Sequence, residues 1–98
     1  MAYKLIILPL AKLDIHEASI WYADKNIELE KRFIVSVKEM AIIIKKNPFL
    51  FEVRYDDVRT ALLKTFPYHI HFTVYLDIIV IKAIYHTSRN SKIWNSRD

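Results

Sequence analysis

The chain opens with a short apolar run, YKLIIL at positions 3–8, rich in β-branched residues and closed by Pro9, which predicts a strand. The apolar spacing then changes. Ala11, Ile15, Ala18 and Tyr22 recur at intervals of four, three and four, one stripe of a helix, with Lys12, Glu17 and Asp24 off the stripe and an end near Asn26. A second stripe, Leu29, Phe33, Val37, Met40 and Ile44, runs to Lys45 and Lys46, where cations suit the helix dipole, and Asn47-Pro48 stops it. Only a few polar residues separate the stripes, so the helices form an antiparallel hairpin.

Beyond Pro48 the period becomes two. FLFEVRYDD is weakly patterned, with Asp56 and Asp57 as turn formers and Arg54 and Glu52 in a stretch too irregular to orient. VRTALLKTF reads as a strand that stops at Pro67. Ile70, Phe72, Val74 and Leu76 then alternate with His69, His71, Thr73 and Tyr75, and Asp77 marks a tight hairpin into IIVIKAIYH. That last run is apolar on both parities up to Lys82, the mark of a central strand.

The expected fold is therefore α+β: an N-terminal strand, a two-helix hairpin, then a three- to four-stranded antiparallel sheet with the helices on one face. The other face is left uncovered, and His69, His71, Lys82 and His86 are expected to project there. Ninety-eight residues with 53% hydrophobic content make one domain spanning 1–98.

Composition narrows the functions. Without cysteine there are no disulfides and no thiolate metal sites, and without glycine, where roughly seven would be usual, there is no phosphate-cradling loop or dinucleotide fingerprint. The apolar start is too brief to span a membrane and lacks a signal-peptide pattern, so a cytoplasmic location with no membrane partner is expected. The net charge of +4 favours an anionic partner. Its basic pole is the C-terminus, where Lys82, Arg89, Lys92 and Arg97 face only Asp98.

Tyr22 in the first helix, Phe33 followed by Asn47-Pro48, Phe66-Pro67-Tyr68, and the closing pattern of His86, Arg89, Trp94 and Arg97 together resemble the RelE/ParE superfamily of bacterial toxins. The resemblance covers nearly the whole chain. It implies the toxin of a type II toxin-antitoxin pair, neutralised by a cognate antitoxin protein and working without a cofactor. It also implies one of two targets: ribosome and mRNA, for members that are endoribonucleases, or DNA gyrase, for members that inhibit by binding. Nuclease members carry an arginine near the start of the strand that begins here at Tyr68, and His69 stands in its place.

Metal-independent RNA cleavage needs a base for the 2′-hydroxyl, an acid for the leaving oxygen and cations for the phosphorane-like transition state. His86, Arg89, His69 and Lys64 are the catalytic candidates: His86 as acid or base, Arg89 as a phosphate fork, and His69 as a partner of His86 if both share the open face. Each has a plainer reading, a strand-end histidine for His86 and an ion pair or antitoxin contact for Arg89. Lys64 is preferred to Arg59 because the two fall on opposite parities of their strand. Lys82, Lys92, Trp94, Arg97 and His71 are candidates for nucleic-acid or partner binding, Trp94 either stacking a base or anchoring the tail. His69 and His71 lack the carboxylates of a metal site. His16 is read as surface and Trp21 as packing. The set favours a ribonuclease, with a gyrase-binding inhibitor as the alternative and a non-toxic nucleic-acid-binding module behind both.

Overall fold

A computed structural model describes residues 2–88. The elements follow the expected order: β1 (Lys4–Ile7), α1 (Pro9–Lys25), α2 (Ile27–Lys46), a 3-10 turn (Pro48–Leu50), β2 (Val53–Tyr55), β3 (Val58–Leu62), β4 (Tyr68–Tyr75) and β5 (Ile78–His86). Pro9 closes β1 and starts α1, because its fixed φ suits a first helical position that needs no amide donor. Asn26 alone joins the two helices. Its amide donates to Tyr22 O, ending α1, and its side chain accepts from the Glu28 amide at 2.8 Å, starting α2.

The five strands lie in the order β1-β5-β4-β3-β2, with β2 to β5 antiparallel and β1 parallel to β5. The antiparallel four-stranded portion and the helical hairpin are as expected, and β1 adds a fifth strand at the edge of β5. Both helices lie on one face. Phe33, Ile44, Ile70, Phe72, Ile79 and Ile81 form the centre of the core there, each no more than 1% exposed. Tyr22, Phe33, Phe66 and Tyr68 make an aromatic cluster between hairpin and sheet, with centroids 5.0 to 6.2 Å apart.

β3 ends four residues before Phe66 rather than running to Pro67. The Leu63 amide bonds Tyr68 O at 2.9 Å, closing a turn over residues 64–67. Thr60 and Leu62 pair with His71 and His69 on the helix-free face, so a continued strand would carry Phe66 to that face too. The turn delivers it instead to the aromatic cluster, and burying a phenylalanine is worth about 1.5–3 kcal/mol, against about 0.5–1.5 kcal/mol for a ladder hydrogen bond. Trp21, expected in the packing, is 44% exposed on the outside of α1, edge-on to Tyr22 at 5.2 Å with the Lys25 ammonium 4.9 Å over its ring. No helix of the described residues is long and apolar enough to cross a membrane.

Candidate functional site

The sheet face turned away from the helices carries the residues of interest. On β4, His69 and His71 project to it, and their cross-strand partners are Tyr85 and Ala83 on β5 and Leu62 and Thr60 on β3. The alternation read from the sequence holds over β4. The face is nevertheless closed at its centre: His71 is 0% exposed and Tyr85 2%.

Tyr55 on β2 reaches over β3 to this centre, its hydroxyl 2.8 Å from His71 Nδ1. The Tyr85 ring stands edge-on to His71 at 5.1 Å and the His69 ring at 6.3 Å. His69, half-buried beside them, has its pKa lowered from the ordinary 6.5, first by burial and then by the positive charge of Arg54. Both influences favour the neutral imidazole and oppose its protonation. Arg54 and Tyr55 belong to the stretch whose pattern did not orient them; only the strand pairing through β3 shows where they lie.

His86 is placed differently from expectation. It pairs with Tyr68, whose side chain is in the core, and the two rings meet edge-on at 5.2 Å. His86 thus takes the parity opposite to His69, and the pair does not share one face as an acid-base couple would need. The physical reason is strand alternation: His69 pairs with Tyr85, and His86 is the next residue along. His86 Nδ1 also accepts the Ser88 amide at 3.1 Å, a bond made only when that nitrogen carries its lone pair.

Lys64 also departs from its expected place. The turn after β3 sets it with Thr65 across a cavity of about 320 Å³ from Lys31, Arg32, Val35 and Glu39 of α2, on the helical side rather than the helix-free face. Arg59 is structural, its Nη1 donating to Phe51 O at 2.6 Å while its guanidinium stacks 4.9 Å over Phe49. Lys82 sits at an irregularity of the β4–β5 ladder, skipped between Phe72↔Ile81 and His71↔Ala83. Arg89, Lys92, Trp94 and Arg97 lie outside the described residues. His16 is exposed, as read from the sequence. Among the described residues no group of three or more histidines and carboxylates is placed to hold a metal ion.

The fold matches a chain of a solved structure, the "Chromosomal ParDE TA system from P. aeruginosa", with a TM-score of 0.79 over 89% of this chain and 98% of that one, at 18% sequence identity. No family model and no curated protein matches the sequence. The likeness is one of architecture: the two chains share this α+β fold.

Proposed function

We propose that this protein is the toxin of a toxin-antitoxin pair and that it acts by binding a protein target, in the manner of gyrase inhibitors, rather than by cutting RNA. Support for the toxin reading comes from the fold shared with a chain of a ParDE system together with the sequence resemblance. The observation that carries the mechanism is the dispersal of the three catalytic candidates among the described residues. His69 lies on the helix-free face, His86 on the opposite parity against Tyr68, and Lys64 across a cavity from α2. General acid and base must both come within hydrogen-bond reach of one scissile phosphate, which these positions do not allow together. His71, fully buried, has no access to a substrate.

A second reading rests on one feature, the position of His69 on the helix-free face with the Arg54 charge near it, an imidazole next to a cation that could hold a phosphate.

Induction in bacteria, with translation, mRNA integrity and plasmid supercoiling followed separately, distinguishes the two. Loss of negative supercoiling with intact mRNA is the expected result, together with inhibition of purified gyrase. Rapid mRNA cleavage on ribosomes, abolished by His69→Ala, would establish the nuclease reading instead. Co-purification with an acidic protein from an adjacent reading frame tests the pairing with an antitoxin.

A further inference from the structure

The cavity between α2 and the turn after β3 has a volume of about 320 Å³, at the lower end of the roughly 300–1,000 Å³ usual for small-molecule sites. Its two walls are built separately. On α2, Arg32 and Ser36 lie one turn apart in the row that borders the core, and Lys31, Val35 and Glu39 form the row outside it. The opposite wall is Lys64 and Thr65, brought there because Phe66 packs on Phe33 with ring centroids 5.4 Å apart.

Ser36 marks the cavity as more than a surface groove. It is 9% exposed and lines the cavity, yet its hydroxyl makes no hydrogen bond among the described residues. A buried hydroxyl ordinarily has a partner, so this one calls for a ligand atom in the cavity. The charge of the lining says which kind. Arg32, Lys64 and Lys31 stand against Glu39. Lys31 is 3.8 Å from Glu28, but both side chains are more than two-thirds exposed, so that pair holds it weakly. Even with Lys31 counted as neutralised, two cations remain for one carboxylate, and the lining favours an anion.

We propose that this cavity binds a nucleoside monophosphate. The Arg32 fork and the Lys64 ammonium hold the phosphate, and the Ser36 and Thr65 hydroxyls donate to its oxygens. A phosphate monoester suits this set better than a carboxylate does, because three oxygens and a charge near −2 satisfy more of the donors than two oxygens and a charge of −1. The sugar and base lie on Val35 and the methylene stem of Lys31. Glu39 accepts from a ribose hydroxyl or an exocyclic amino group, and its charge disfavours a second phosphate, which restricts the ligand to a monophosphate. Every donor is a side chain, so a chain without glycine can make the site where a backbone phosphate loop is impossible. The inference does not rest on the proposed target.

Amide NMR spectra of the full-length chain, titrated in parallel with AMP, adenosine and inorganic phosphate, test it. AMP should shift residues 31–39 and 64–65 and saturate with a dissociation constant on the order of 0.1 mM. Adenosine and inorganic phosphate should each bind about tenfold more weakly or worse, since each lacks half of the contacts. Arg32→Gln and Lys64→Gln should each weaken AMP about tenfold, and Ser36→Ala about threefold, with the circular dichroism spectrum unchanged. Lys12→Gln, which removes the same charge from α1, should leave the affinity as it was. Absence of shifts in those segments at about 5 mM AMP overturns the proposal. So does AMP binding that is indifferent to Arg32→Gln, or that Lys12→Gln weakens equally, because the attraction is then one of overall charge. Inorganic phosphate that binds as tightly as AMP overturns the assignment to a nucleotide.

Discussion

The Asp14 carboxylate on α1 accepts the Ile84 amide of β5 at 3.0 Å. β1 pairs with β5 only from Lys4↔Ile78 to Ile7↔Ile81, and the chain then turns into α1 at Pro9. Beyond Ile81 the outer edge of β5 would be left without a strand, and the helix that replaces β1 brings the acceptor in a side chain. Asp14→Ala should lower stability by about 1–3 kcal/mol, the range for a hydrogen bond to a charged group and a stranded amide donor. Asp14→Asn keeps an oxygen there and should lose less. Chemical denaturation gives the energies, and faster hydrogen exchange at the Ile84 amide in Asp14→Ala would locate the effect; unchanged exchange there would refute it.

The Tyr55 hydroxyl and His71 Nδ1 tie the edge strand β2 to β4 across β3. Tyr55→Phe deletes this bond from a fully buried imidazole while keeping the ring, and should cost about 1–2 kcal/mol. Since β2 has only three residues, the loss should also appear as local opening of Val53–Tyr55 in hydrogen exchange before global unfolding.

Leu76, at the tip of the β4–β5 hairpin, has φ of 55° and is 76% exposed. That conformation is strained for a side chain with a Cβ, and little packing offsets it. Leu76→Gly should therefore leave stability unchanged or raise it by up to about 1 kcal/mol, read as an upward shift in Tm. A drop of similar size would show that the exposed leucine makes contacts of its own.

His69 gives stability a defined pH dependence. Burial, then Arg54, lowers its folded-state pKa below the ordinary 6.5, so well above that pH the residue is neutral folded or unfolded and contributes no slope. As pH falls below 6.5 the unfolded chain takes up a proton that the folded one refuses, and stability declines until the folded-state pKa is passed. Denaturation midpoints between pH 7.5 and 5 should show this decline, and His69→Gln should reduce it. An identical slope in the variant would assign it to other groups.

The order of elements and the sidedness of β4 were legible in the sequence because they follow from local periodicity: intervals of three and four for the helices, two for His69 through Tyr75. Pro9 and Asn47-Pro48 fixed the boundaries equally locally, since a missing donor acts on its immediate neighbours. The end of β3 was not legible, because Phe66 leaves the strand to join Tyr22 and Phe33, residues distant along the chain.

The same distinction runs through the candidate site. By itself the sequence determined the inventory: two histidines on one face of β4, a third at the end of β5, and a chain without cysteine or glycine, which rules out thiolate and glycine-loop chemistry. The tertiary structure alone decided which of these meet. Register sets His69 opposite Tyr85 and turns His86 toward Tyr68, while the pairing of β2 with β3 brings Arg54 to His69 and Tyr55 to His71. Periodicity gives each strand its faces, but the hydrogen-bonded pairing between strands decides which residues become neighbours.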